Sequence, residues 1–309
     1  MSFTAKDVAA LREQTGAGMM DCKNALVATG GDMAKAAEHL RKQGIAVAAK
    51  KAGRIASEGA VTSAISKDGK AGALVEINCE SDFVAKSDPF VELGNTIAAV
   101  VLKENPKDLD ALLALKSGKE TVLEIVNNAT AKIGEKLALR RFVRQEVKSG
   151  RNENYIHMLG KIGVLVEFST GKDLNKSKEF ITVAHDVAMH IAAMNPASVS
   201  EKDIPAEVYS KEKEIQLELM KKDPKNASKP DNILEKMIEG KMKKFAKEIC
   251  LEEQEFFKDP SKSVGGYVAE MAKKLGTEIS ITRFTRFEKG EGLEKKVDNL
   301  AEEVAKLQK

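Results

Sequence analysis

Gly72-Ala73-Leu74-Val75-Glu76-Ile77 and Gly163-Val164-Leu165-Val166-Glu167-Phe168 are two versions of one apolar run. Each has the length, bounding glycine and β-branched content of a buried strand. Each is followed by a polar turn and then by a helix signal opening on an aromatic, Phe90 in one and Phe180 in the other. The spacing from glycine to phenylalanine is eighteen residues in the first and seventeen in the second. Each run also has a candidate partner strand upstream, residues 59–65 for the first and 155–159 for the second. A hairpin with helices, used twice, predicts an α+β core of two subdomains with antiparallel strands, related by approximate two-fold symmetry.

The turn of the first copy reads Asn78-Cys79-Glu80-Ser81-Asp82-Phe83-Val84-Ala85-Lys86-Ser87-Asp88-Pro89-Phe90. Asp88 is placed to cap the next helix, Pro89 suits its first position, and apolar residues recur from Phe90 to Leu102. Asp82 and Phe83 put an acid beside a large aromatic on a short loop between rigid elements, where binding residues tend to lie. The residues alone leave two readings. Phe83 is either a contact group, or it folds back into its own core while Asp82 closes the turn. The burial habits of large apolar side chains favour the second.

The chain has 309 residues, enough for two or three domains with ample core. Charged residues make up 31% and the net charge is only +3, which argues against a one-sided basic surface for coating nucleic acid. The absence of Trp and the presence of only three Tyr weaken any base-stacking platform. Cys22, Cys79 and Cys250 are odd in number, far apart and without a Cys-x-x-Cys pair, as in a reduced, cytoplasmic protein with small core cysteines. Helix signals begin by Thr4 with no leader pattern before them, and the apolar run 97–102 is too short to span a membrane.

Before the core, three short helices are predicted. Thr4 with Asp7 approximates a capping box, and Gly16-Ala17-Gly18 breaks the first helix. Residues 19–29 form the second, stopped by Gly30-Gly31. Asp32 caps the third, with Met33, Ala36, Ala37 and Leu40 facing inward and Gln43-Gly44 ending it. Met19-Met20 suit a pliant contact surface or, by default, core packing. Residues 50–54 then read as a solvated basic linker. Between the two copies of the strand, residues 121–139 read as one helix bearing Val122, Ile125, Val126, Ile133 and Leu137.

After Asn195-Pro196, two Glu- and Lys-rich helices read as an antiparallel hairpin. One carries Val208, Ile215 and Leu219. The other, capped by Asp231 after a break at residues 224–230, carries Leu234, Ile238, Met242, Phe245 and Ile249. The hairpin is either a partner or homodimer contact or a solvated arm with a thin seam. The chain returns through residues 259–265, a helix to Leu275 and a strand over 277–287. A terminal helix with Leu293, Val297, Leu300, Val304 and Leu307 needs something to bury its stripe.

Enzyme chemistry finds little support. There is no phosphate-binding P-loop, and Gly16-x-Gly18 lacks the third glycine and preceding strand of a dinucleotide site. His185 and His190 do not share a helical face, so a zinc site is not indicated. His157, beside a predicted strand, is a surface histidine or a contact. An RNA-binding protein would need more one-sided charge, and a small-molecule enzyme would need convergent polar groups.

Leu11-Arg12-Glu13-Gln14-Thr15-Gly16-Ala17-Gly18-Met19-Met20-Asp21-Cys22-Lys23 resembles the N-terminal signature of the translation elongation factor Ts family. Glu80-Ser81-Asp82-Phe83-Val84-Ala85-Lys86 is similar to that family's second signature, with Ser81 where threonine is usual. His157 with Ile162-Gly163-Val164-Leu165-Val166, then Met189-His190-Ile191-Ala192-Ala193, also fit. So do Glu239-Gly240-Lys241-Met242-Lys243-Lys244-Phe245 and Arg286-Phe287-Glu288-Lys289-Gly290-Glu291-Gly292, and the likeness runs nearly end to end.

The resemblance implies a nucleotide exchange factor for the GTPase elongation factor Tu. It implies no catalysis and no cofactor, a cytoplasmic location, and no direct contact with nucleic acid or membrane. It implies a ubiquitin-associated-like three-helix bundle over 1–53 and core subdomains over 54–142 and over 143–200 with 259–290. The helical hairpin occupies 201–258 and a C-terminal helical module 291–309. Ser81, Asp82, Phe83 and Val84 would form a loop that displaces Mg²⁺ at the partner's nucleotide site. Arg12, Met19 and Met20 would hold the GTPase domain, and His157 a more distal domain. Homodimer formation is left open.

Overall fold

The computed structural model describes residues 3–15, 17–223 and 229–294. Three helices open the chain: α1 (Ala5–Thr15), α2 (Met19–Ala28) and α3 (Met33–Lys51). Next come β1 (Glu58–Ile65), β2 (Ala71–Cys79), the single turn α4 (Asp82–Ala85), α5 (Asp88–Glu104) and α6 (Leu109–Ala114). A short hairpin, β3 (Lys116–Ser117) and β4 (Glu120–Thr121), leads into α7 (Val122–Ile133) and β5 (Ala138–Glu146). The second set is β6 (Gly150–His157), β7 (Ile162–Thr170) and α8 (Lys178–Met194). Two further helices, α9 (Ala206–Lys222) and α10 (Asp231–Ile249), precede β8 (Glu255–Phe256), β9 (Asp259–Ser263), α11 (Val264–Leu275) and β10 (Ile279–Glu288).

The architecture is α+β with antiparallel sheets. One three-stranded sheet runs β1-β2-β5 and the other β10-β7-β6. The two repeated apolar runs are the central strands β2 and β7, which explains their continuous hydrophobicity: each is covered on both faces. On one face of β2 lies α5, burying Phe90, Leu93, Ile97 and Val101; α8 covers β7 with Phe180, Val183, Val187 and Ile191. Both helices end on an asparagine in the left-handed region, Asn105 (φ 48°) and Asn195 (φ 47°), each followed by proline.

The other faces of the two sheets pack against each other reciprocally. A Cβ on Gly72 would lie 2.5 Å from Leu165 Cδ1, and one on Gly163 would lie 2.7 Å from Leu74 Cδ2. The glycine of each repeat therefore makes room for the leucine of the other, a relation expected of two-fold-related copies. The repeated glutamates are paired in the same way across each sheet. Glu76 Oε2 accepts from Arg141 Nε at 2.6 Å, and Glu167 Oε2 accepts from Arg283 Nη2 at 2.7 Å. Glu76 is fully buried, and burial opposes its ionisation. The Gly290 N–H, Arg140 and Arg141 outweigh that and hold its carboxyl below the usual carboxylate range.

Several local expectations are corrected. The helix predicted over 121–139 stops at Gly134 (φ 86°), and Leu137 and Leu139 belong to the approach and start of the edge strand β5. Ser87, not Asp88, is the N-cap of α5, with Pro89 inside its first turn. The strand expected at 155–159 is β6, which starts at Gly150 and ends before Met158 and Leu159 turn to positive φ. Pro230 precedes α10 at its N-cap, so Asp231 opens that helix rather than capping it.

Gly44 does not end α3, because it serves a close approach. A Cβ there would come within 2.7 Å of Asn128 Oδ1 on α7. The third helix therefore continues alongside α7, tied by Arg41 Nε to Glu124 Oε1 at 3.0 Å and by Lys51 Nζ to the Gly134 carbonyl at 2.6 Å. Of the predicted basic linker 50–54, Lys50 and Lys51 form the end of this docked helix, while the exposed residues 52–54 make the turn out of it and Arg54 pairs with Glu80.

Helices α9 and α10 run antiparallel. Ile204 packs near Ala246 and Cys250 at the base, and Met220 meets Ile238 and Met242 further out. The seam differs from the predicted one on α9, where Tyr209, Leu217 and Met220 face inward while Val208, Ile215 and Leu219 are exposed. The terminal stripe from Val297 to Leu307, most of the predicted module 291–309, Gly16 and residues 224–228 lie outside the described residues.

Candidate functional site

The turn after β2 is a short structure with many outside attachments. Ser81, extended at φ −126° and ψ 154°, caps α4 by accepting the Val84 N–H at 3.3 Å. Its own N–H and that of Glu80 donate to Glu135 Oε2 at 2.9 and 3.1 Å, and its hydroxyl donates to Glu135 Oε1 at 2.6 Å. The Cys79 thiol, buried and pushed up to about 12 chiefly by that burial, donates to the Ser81 carbonyl at 3.1 Å. So high a value makes Cys79 a packing group rather than a nucleophile. Burial opposes ionisation of Glu80, but the Lys136 N–H at 2.6 Å and Arg54 at 3.2 Å hold it low.

From this fixed base Phe83 projects with 83% of its surface exposed. Its neighbours Val84 and Ala85 turn inward onto the core of the first sheet. The reading in which Phe83 folds back into that core is therefore overturned, because Val84 and Ala85 already fill the inward positions of so short a helix. Asp82 beside it is half-buried and paired with Lys86 at 2.6 Å, which holds its carboxyl below the ordinary range. An exposed benzyl group next to an ionised acid can insert between elements of another molecule and can accept hydrogen bonds there.

The other expected site residues fall in two places. Met19 and Met20, 46% and 62% exposed, stand at the start of α2. Arg12 and Met19 line an open cleft with Glu13, Gly18 and, from α7, Ala131 and Lys132. This cleft and the Phe83 turn are attached to the same end of α7. His157 lies at the end of β6 on the other sheet, its Nδ1 3.0 Å from the Tyr155 hydroxyl. Beside it Met158 (φ 47°) and Leu159 (φ 54°) form an exposed apolar tip, with Leu159 81% exposed. Residue types gave no warning of this tip. Two bulky residues at positive φ are conformationally costly and worth noting wherever they occur. Among the described residues, no group of His, Cys, Asp and Glu converges as a metal site, and no helix is long and apolar enough to cross a membrane.

The family profile described as Elongation factor TS matches residues 80–291, beginning at the Phe83 turn and ending just past β10. Elongation factor Ts of Clostridium perfringens (strain SM101 / Type A) is 48% identical over 306 residues, covering 99% of each chain. This chain belongs to the Elongation factor Ts family. Elongation factor Ts of Symbiobacterium thermophilum is 46% identical over 304 residues, 98% of this chain and 97% of the relative. That of Trichlorobacter lovleyi is 46% identical over 309 residues, 99% and 98% respectively. These matches cover 98–99% of this chain, so they extend on the N-terminal side well beyond the profile match at residues 80–291.

Proposed function

We propose that this chain binds elongation factor Tu carrying GDP and speeds the exchange of GDP for GTP, acting in the cytoplasm as an exchange factor rather than an enzyme. Family membership implies the exchange role, and the exposure of Phe83 on a braced turn supports this turn as its working part. In this reading the turn Ser81–Val84 docks beside the partner's nucleotide site, with Asp82 and Phe83 entering it. Ser81, as cap, and Val84, turned onto the core, hold the turn in place. Arg12, Met19 and Met20 hold the GTPase domain, and His157 holds a more distal one. The chain divides as bundle 1–53, core subdomains 54–142 and 143–200 with 259–290, hairpin 201–258 and C-terminal module 291–309. Nucleic acid takes no direct part.

The physical task is to weaken a tightly held nucleotide. Mg²⁺ in the partner demands near-ideal octahedral geometry and is bound partly through nucleotide phosphates. An aromatic pushed between neighbouring elements shifts the groups that hold the metal, and the diphosphate charge is then left uncompensated. A nucleotide held at about 1 nM corresponds to about 12 kcal/mol, and a thousandfold weakening needs a coupling of about 4 kcal/mol. Coupling is reciprocal, so incoming GTP weakens the hold of this chain and releases it.

The experiment is direct. Elongation factor Tu loaded with a fluorescent GDP is mixed with this chain, and nucleotide release is followed with unlabelled GTP in excess. Release that accelerates with the concentration of this chain and then saturates supports the reading. Release at the unassisted rate, at concentrations where a complex forms, overturns it.

A further inference from the structure

We propose that Glu135 is a positioning residue for Phe83, its carboxylate setting the conformation of the turn from which the ring projects. The proposal rests on the reading of that turn as the exchange element. Helix α4 is a single turn, too short to hold itself, so its geometry has to be imposed by other segments. Glu135 stands one residue beyond the left-handed Gly134 that ends α7. From there it takes the Glu80 and Ser81 N–H groups on Oε2 and the Ser81 hydroxyl on Oε1. Because Ser81 Oγ also accepts the Val84 N–H, one carboxylate orients the residue that caps α4.

The residues on either side of Glu135 extend the same bracket. Gly134 O accepts from Lys51 Nζ, and the Lys136 N–H donates to Glu80 Oε1 at 2.6 Å. Lys136 Nζ donates to the Arg54 carbonyl at 2.8 Å, while Arg54 itself reaches Glu80. Residues 134–136 thereby join the end of α3, Arg54 and the Glu80–Ser81 backbone. Lys132, on the last turn of α7, lines the cleft that holds Arg12 and Met19. The bracket fixes the turn and its spacing from the N-terminal contact residues together.

A carboxylate fits this task better than its neutral analogues. It offers two acceptor oxygens with several lone-pair sites, where an amide offers one, and its hydrogen bonds are charge-assisted. With the hold supplied by Arg12, Met19, Met20 and His157, ordering the turn in advance removes its entropic cost from the later step in which Phe83 enters the bound partner. Loss of Glu135 should therefore show in how well bound protein drives nucleotide out, more than in how tightly it binds.

The test measures GDP release from elongation factor Tu against concentration for wild type, Glu135→Ala, Glu135→Gln, Ser81→Ala and the Glu135→Ala/Ser81→Ala double variant. Hydrogen exchange of the Glu80 and Ser81 amides is read in each free protein. Glu135→Ala should lower the saturating release rate about tenfold while shifting the half-saturating concentration less than about threefold. Glu135→Gln, which keeps one acceptor, should recover part of the loss and keeps the test open if the alanine variant folds poorly. The double variant should be no worse than Glu135→Ala, since both act through one hydrogen-bonded chain. Exchange at the two amides should rise about tenfold or more in Glu135→Ala. A Glu135→Ala protein that saturates at the wild-type rate overturns the proposal, as does unchanged exchange at both amides. Wild type failing to accelerate release would instead sink the functional reading, and the amide exchange would still decide whether Glu135 holds the turn.

Discussion

Lys86 places its ammonium 2.6 Å from the Asp82 carboxylate, one helical turn away across α4. That hydrogen bond, with further help from Lys289, keeps Asp82 below its ordinary value of 3.8. A depressed carboxylate pKa contributes fully above the unfolded value and is lost only as pH falls through the lower folded one. Asp82 is thus ionised throughout the neutral range. The ratio of wild-type to Asp82→Asn release rates should stay constant within about twofold from pH 6 to 8. A titration of that ratio within the range would show that Asp82 works through its proton. Lys86→Ala should change the apparent affinity less than about threefold, as expected for an exposed pair.

Met19 and Met20 are exposed at a helix start, so replacing them should affect binding and spare the fold. Changing both to Ala is expected to weaken the complex with elongation factor Tu by a few kcal/mol, in the range of interface anchors. Titration calorimetry with nucleotide-free partner measures the loss, and thermal unfolding checks the fold. A melting transition that collapses in the free protein would mean that these side chains support the N-terminal helices.

His190 is fully buried, with Nε2 3.0 Å from Gln254 Oε1. Burial lowers its pKa from 6.5, and the Gln254 contact opposes this only in part. The unfolded chain therefore binds a proton that the folded chain refuses between those two values, and stability is lost as pH falls through that window. The melting temperature should drop between pH 7.5 and 5.5 more steeply for wild type than for His190→Gln. Equal slopes would remove His190 as the cause.

The hairpin is expected to be separable from exchange. Its base must be kept, because the Leu251 N–H donates to the Ser198 carbonyl at 2.9 Å and the Ala197 N–H to that of Ile249 at 2.8 Å. Removing residues 213–240 and joining the ends with a short glycine turn leaves that base and Tyr209 in place. The shortened protein should accelerate GDP release within about threefold of wild type. Loss of acceleration in a folded product would put the removed part of the hairpin, with its exposed Ile215 and Leu219, in the mechanism.

The repeated apolar runs were legible because the fold uses them twice in one way. Each glycine faces the other copy's leucine, and each glutamate faces an arginine on a neighbouring strand. Strand β5 was hidden because Arg140, Arg141 and Arg144 interrupt its apolar alternation, while Leu137 prolongs the helical spacing of α7. Gly44 looked like a helix stop because its reason lies on α7, far away in sequence. At the site, Ser81–Phe83 stood out as a turn, but the exposure of Phe83 depends on Glu135 and on the filling of the inward positions by Val84 and Ala85. The Met158–Leu159 tip was missed because nothing in leucine or methionine signals positive φ.

The central claim is that the Phe83 turn drives nucleotide out while Arg12, Met19, Met20 and His157 supply the hold. It is tested most directly by the Asp82→Ala/Phe83→Ala double variant at saturating concentration over GDP-loaded elongation factor Tu. The predicted result is a stable complex with nucleotide-free partner but GDP release close to the unassisted rate. The gap to wild type should narrow when a chelator removes Mg²⁺, because the metal's departure then no longer requires the turn. Release at saturation as fast as with wild type would contradict the account and reduce this turn to one more foothold.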